Sequence, residues 1–128
     1  MSEKAVLKLI NNELTALGIN YFYMVNDSET VTYPYATGEY HENDYDYEDN
    51  STIGEMFLNL WTRGSELSLI AQKDLIKDKF KNYQTVILED ETITSVAINY
   101  VSKNSRYTGE EDLKRIEIRL QIKYWESD

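Results

Sequence analysis

The sequence predicts an α+β fold: one domain spanning residues 1–128, a mostly antiparallel β-sheet with two α-helices packed on one face. Three observations lead there. Residues 53–61 and 116–125 alternate apolar and polar side chains with the period of two that marks a half-buried strand. Only residues 2–17 and about 65–81 carry helical periodicity. Strand-like runs also follow one another without intervening helices, which favours antiparallel neighbours over βαβ units.

Taken in order, Ser2 can cap a first helix in which Val6, Leu7, Ile10, Leu14 and Leu17 recur at helical spacing, with Gly18 as its left-handed stop. Residues 19–25 hold Tyr21, Phe22, Tyr23 and Val25, a β-prone run closed by the turn-forming Asn26-Asp27-Ser28. Pro34, the chain's one proline, lacks an amide donor. A strand here therefore lies at a sheet edge or begins just after it, at about Tyr35, and residues 35–41 would pair with residues 53–61. The loop between, residues 42–50, carries five acids and no base, so it belongs in solvent.

In residues 53–61, Met56, Leu58 and Leu60 point one way while Ile53, Glu55, Phe57, Asn59 and Trp61 point the other. The first face is core; the mixed face is available to another layer or another subunit. Thr62-Arg63-Gly64 breaks the alternation, and Ser65 with Glu66 offers a cap and a negative first turn for the second helix. That helix is apolar on two sides, Leu67, Ala71 and Leu75 on one and Leu69, Ile76 and Phe80 nearly opposite. It therefore calls for two neighbours: the sheet, and either the first helix or an adjacent subunit.

Residues 83–88 form a short apolar run, and residues 89–91 an exposed turn. Residues 92–101 read as a strand with Val96, Ile98 and Tyr100 on one face, followed by a polar loop over residues 102–112. The last strand sets Ile116, Ile118, Leu120, Ile122 and Tyr124 against Glu117, Arg119, Gln121, Lys123 and Trp125, an apolar core face and a charged wet one.

Composition narrows the function. A chain of 128 residues buries roughly two-thirds of its unfolded surface, enough for its own core. The absence of cysteine excludes disulfides and thiolate metal sites and fits a reducing compartment. No long apolar run or signal-peptide pattern occurs, so the expectation is a soluble protein made in the cytosol, with no membrane partner. A net charge of −10 opposes gripping nucleic acid through a broad positive surface.

Catalytic readings find no support: the single histidine, His41, has no triad spacing, and no nucleophile-elbow or phosphate-cradling glycine motif occurs. Catalytic, cofactor-binding and metal residues are accordingly none. Asp44, Asp46, Glu48 and Glu55 fit positions 1, 3, 5 and 12 of a calcium loop, yet Asp49 stands where that loop needs glycine and a strand follows. Eleven tyrosines, many between Tyr21 and Tyr47, suit either an interaction surface or ordinary edge strands.

Tyr33-Pro34-Tyr35, Gly38-Glu39, the acidic loop, a strand ending Leu60-Trp61-Thr62-Arg63-Gly64 and then a long helix carry a resemblance. In length and order of elements, most of the chain resembles the small tail-terminator, neck and tail-completion (minor capsid) proteins of long-tailed bacteriophages and related prophages, similar to the lambda-type tail terminator. The resemblance implies a structural, non-enzymatic virion protein of the tail and neck, made in the bacterial host cytoplasm. It would assemble as a hexameric ring that caps the tail tube and stops its polymerisation. Implied partners are further copies of itself, the tail tube protein and a head-completion or connector protein.

The resemblance places Tyr33, Pro34, Tyr35, Gly38 and Glu39 near an interface at the sheet edge, and Trp61, Arg63 and Gly64 at the strand-to-helix corner. A head-side connector of the same fold type is the alternative within this class. A different class is an acidic DNA-mimic inhibitor, which would need carboxylates spaced like phosphates along one face. Five of the acids instead crowd into one loop, and the last strand's exposed face alternates in sign.

Overall fold

The computed structural model describes residues 2–43, 51–81, 84–87 and 93–126. Its elements run α1 (Ser2–Ala16), β1 (Tyr21–Tyr23), β2 (Tyr35–Glu42), β3 (Ser51–Arg63), α2 (Leu67–Phe80), β4 (Gln84–Ile87), β5 (Ile93–Tyr107) and β6 (Leu113–Glu126). The strands form a six-stranded sheet in the order β1-β2-β3-β6-β5-β4. Among the described residues, only the β1 to β2 pairing is parallel. The α+β class, with two helices on a mostly antiparallel sheet, is what the periodicities predict.

Both helices lie on one face, over the residues whose alternation is apolar. Met56, Leu58 and Leu60 of β3 and Ile116, Ile118, Leu120, Ile122 and Tyr124 of β6 meet Val6, Ile10 and Leu14 of α1 and Leu69, Ile76 and Phe80 of α2 in one core cluster. The α1 stop works through Gly18 at φ +81, which lets the Ile19 N–H donate to the Leu14 carbonyl at 3.1 Å and so satisfies a terminal acceptor. Gly64 at φ +86 ends β3, and its N–H donates to the Asp112 carbonyl at 2.9 Å, tying the corner to the β5–β6 loop.

Three expectations need correction. The second helix starts at Leu67, not near Ser65: Glu66 is its N-cap residue in αR conformation, and the Ser65 Oγ accepts the Leu67 N–H at 3.2 Å. The strand at residues 35–41 begins at Tyr35, directly after Pro34, as the missing amide donor predicts, and β1 pairs in parallel with its Ala36, Thr37 and Gly38. β1 itself is short because Met24 turns the chain at φ +70. Residues 102–107 are strand rather than loop, since β5 continues through a bulge between Tyr100 and Ser102 and stays paired with β6 to Tyr107.

The third correction concerns α1 as the second neighbour of α2. Lys79 and Glu13 pair at 3.4 Å between the helices, but Leu67, Ala71 and Leu75 remain on the exposed side of α2. The short run at residues 83–88 contributes β4, which pairs with β5 at the far edge. The turn expected at residues 89–91 lies outside the described residues.

Candidate functional site

The site is built on the other face of the sheet, which neither α1 nor α2 covers. Pleating sends the odd residues of β2, β3 and β6 to that side, and the register sets them in rows: Tyr35, Trp61 and Arg115; Thr37, Asn59 and Glu117; Glu39, Phe57 and Arg119; His41, Glu55 and Gln121. In the first row the Tyr35 and Trp61 rings stack at 6.3 Å and an interplanar angle of 17°. Tyr33 lies 5.6 Å from Tyr35, and the Trp61 Nε1 donates to the Thr37 Oγ1 at 3.4 Å.

Cations lie over these rings. The Arg115 guanidinium is 5.4 Å from the Trp61 centroid, Arg119 5.1 Å from Phe57, Lys123 5.2 Å from Trp125 and Arg63 5.5 Å from Tyr33. Each ring presents its electron-rich face to a positive group, so the two halves of the pattern hold each other in place. The charged side of β6, expected to be wet, is in fact half-buried among aromatics.

Electrostatically the face is uneven. Glu117 sits between two arginines that are directly opposite one another, taking Arg106 at 3.3 Å and Arg115 at 4.0 Å. Arg63 pairs with Glu110 and Asp112 at 3.3 Å each, and the Tyr33 hydroxyl followed by Asp112 pushes its guanidinium pKa up. Burial, followed by the neighbouring Tyr33, pushes the Tyr35 phenol up. Arg119 has no carboxylate within 4.0 Å among the described residues, and the buried Nε atoms of Arg115 and Arg119 and the buried Oδ1 of Asn59 lack hydrogen-bond partners. By position the strands of this face carry Arg63, Arg106, Arg115, Arg119 and Lys123 against Glu39, Glu55 and Glu117, and Glu110 and Asp112 of the β5–β6 loop lie on Arg63, so the two signs are near balance among the described residues.

Of the sequence-predicted residues, Tyr33, Tyr35, Trp61 and Arg63 come together as one cluster, with Pro34 between the tyrosines and Gly64 beside Arg63 at the corner. Glu39 lies on the same face, level with Phe57. Gly38 does not belong to it: it faces the core, where a Cβ would lie 2.5 Å from the Tyr21 hydroxyl. Sequence reasoning missed Phe57, Arg115, Glu117, Arg119 and Lys123. Their signal was a four-residue step on both strands, Ile53, Phe57 and Trp61 facing Arg115, Arg119 and Lys123, meaningful only once the register is known.

His41 lies edge-on to Phe57 at 5.6 Å with the Glu39 carboxylate 4.0 Å away. Among the described residues no group of three His, Asp or Glu side chains is placed to hold a metal ion. Asp44, Asp46, Glu48 and Asp49 of the calcium-loop comparison lie outside the described residues, and Glu55 lies within β3. No described helix is long and apolar enough to cross a membrane.

No protein-family model matches the sequence, and a search of curated proteins finds no match. Among solved structures the chain is similar to one from the virion of a native gene transfer agent particle, with a TM-score of 0.62 and 13% identity over 89% of this chain and 84% of that one. At that identity the likeness is one of fold.

Proposed function

We propose that this chain is a structural subunit of a phage or phage-like particle: a single domain over residues 1–128 that assembles with copies of itself as a tail-terminator ring. In this role it caps the tail tube, ends its polymerisation and offers a surface to the head-completion protein. The observation that carries the reading is the bare, cation-and-aromatic sheet face on a fold similar to a chain of a gene transfer agent virion. A subunit whose work is assembly needs surfaces that its own chain leaves unfinished, and two are present: the sheet face and the exposed stripe of α2. The role calls for no catalytic residue, cofactor or metal. The arginines interleaved with the carboxylates of the sheet face run against the acidic DNA-mimic alternative, which needs carboxylates alone spaced along one face.

The test is the absolute mass of the purified protein by light scattering over a concentration series, with and without purified tail tubes. A sixfold mass, or a monomer that forms a ring only on tube ends, supports the terminator role. A ring that ignores tubes and binds the head vertex moves the subunit to the head side of the connector. A strict monomer that instead binds a nuclease or Ca²⁺ tightly overturns the reading.

A further inference from the structure

We propose that copies of this chain join edge to edge: residues 29–32, in the segment between β1 and β2, add as a strand to the outer edge of β5 at residues 101–107 of the next copy. The inference rests on the self-association contained in the proposed function and names the two segments that make it. β4 pairs with β5 from Ser95 to Ile98, whereas β6 accompanies β5 as far as Tyr107. From Val101 to Tyr107, no described residue pairs with the side of β5 that faces away from β6. The backbone N–H and C=O groups on that side stand in strand geometry without a ladder partner, a row that an extended segment matches. Val101 and Tyr107, 46% and 84% exposed, belong to the same stretch.

Residues 29–32 are the complement of that edge. The chain between Tyr23 and Tyr35 is irregular, yet Thr30-Val31-Thr32 is a β-prone run. Glu29, Thr30, Val31 and Thr32 are all exposed, and none makes a backbone hydrogen bond to a described residue. They are a strand without a sheet. Both ends of the segment are held: the Met24 N–H donates to the Gly38 carbonyl at 2.8 Å, and Tyr33 lies under the Arg63 guanidinium. Fixed ends lower the entropy lost when the residues between them become ordered.

Charge selects a second copy as the occupant. Asp27 and Glu29 have no cation within 4.0 Å among the described residues, and Lys103 has no carboxylate; its Nζ donates instead to the Ser105 Oγ at 2.9 Å. Setting Glu29 opposite Lys103 pairs the unlike charges across the new ladder. Val31, two residues on and so on the same face, then comes beside Tyr107 if the added strand is parallel to β5, or beside Val101 if it is antiparallel. Either way it covers an exposed apolar side chain. Because β1 and β2 close one side of the sheet and β5 and β4 the other, donor and acceptor lie on opposite sides of the subunit. Such a contact is heterologous and repeats from copy to copy, the kind that closes into a ring. Pairing two β5 edges about a two-fold axis would instead crowd Lys103 and Arg106 of both copies onto one ladder and leave Glu29 without a partner.

The chain contains no cysteine, so introduced thiols report contact without background. Thr30→Cys marks the donor segment; Asn104→Cys and Ser102→Cys mark the β5 edge, opposite Thr30 in the parallel and the antiparallel arrangement respectively. Under mild oxidation in assembly conditions, Thr30→Cys mixed with one of the two edge variants should give a disulfide-linked dimer, while each variant alone gives none. Dimers from a single variant would show a two-fold contact and overturn the proposal, as would mixtures that assemble like the wild type but cross-link in neither combination. Should the thiols themselves disturb assembly, charge reversal replaces them. Glu29→Lys and Lys103→Glu should each lose the assembled species and regain it when mixed, since alternating copies then set unlike charges at every contact. Single variants that assemble normally, or a mixture that stays dissociated, overturn the proposal. If the wild type itself never self-associates, even on tube ends, the ring reading falls together with the proposal; absent cross-links in an assembling protein remove the proposal alone.

Discussion

The two faces of β3 and β6 are made from alternate residues of the same segments, yet they are finished to different degrees. On the helix side, Met56, Leu58, Leu60, Ile116, Ile118, Leu120 and Ile122 have no solvent exposure, and α1 and α2 supply every neighbour they need. On the other side, Phe57, Trp61, Arg115 and Arg119 are half-buried, and they shield each other through ring and cation contacts. The first face makes the fold stable. The second spends aromatic and arginine side chains, the types enriched at interfaces, where the fold does not require them. Stability and assembly should therefore separate by face.

The largest expected effect lies on the helix side. Leu58→Ala empties a fully buried position and should cost about 3 kcal/mol in urea unfolding; a loss as small as that of an outer-face variant would break the comparison. Gly54→Ala comes next, because its Cβ would lie 2.5 Å from the Tyr40 hydroxyl and 2.7 Å from two of its ring carbons. With the Tyr40 ring buried, that overpacking should cost about 2 kcal/mol.

Trp61→Ala should lower stability by only about 1 kcal/mol, since its ring is half-exposed and loses chiefly the Tyr35 stack and the Arg115 contact. It should nevertheless abolish ring assembly and tube capping in the light-scattering assay. Normal assembly by both Trp61→Ala and Arg63→Ala would remove the strand-to-helix corner from the interface.

Tyr40→Phe removes one of two hydroxyls that donate to the Glu42 Oε2, Tyr40 at 2.8 Å and Tyr124 at 2.6 Å, and should also cost about 1 kcal/mol. Burial first, then the Glu42 carboxylate, raises the Tyr40 pKa above its ordinary 10.0. The folded state thus holds this proton more tightly than the unfolded state. Its contribution is complete below the ordinary tyrosine value and is lost as pH rises beyond it. Urea midpoints should fall on the alkaline side of that value, and Tyr40→Phe should flatten the fall. The smallest effect on stability belongs to Leu67→Lys, a change at an exposed position that should leave the thermal midpoint within about 1 °C.

Much of this architecture was legible in the chain. The alternation of residues 116–125 and 53–61 named the core faces of β6 and β3 residue by residue, and Gly18 marked the end of α1, because each signal depends on neighbours within a few positions. The outer half of β5 was not legible: Ser102, Lys103, Asn104, Ser105 and Arg106 have weak β-propensity and stay extended because β6 supplies the ladder beside them. Tyr33, Tyr35, Trp61 and Arg63 were singled out through a resemblance in short motifs, at the sheet edge and at the corner separately, and the structure brings them together as one cluster. Its continuation through Phe57, Arg115 and Arg119 was not singled out, since the partners are more than fifty residues apart in sequence.

By itself, then, the sequence determined the α+β class, the two helices, the inward faces of β3 and β6 and the lack of any thiol chemistry, since periodicity and composition are local properties. Only the tertiary structure decided that β1 runs parallel to β2, that the guanidinium groups of β6 lie over the rings of β3, and that α1 leaves Leu67, Ala71 and Leu75 uncovered. Those outcomes depend on strand register and on which surfaces other elements happen to reach. Both are set by the free energy of the whole packed core rather than by the residues concerned.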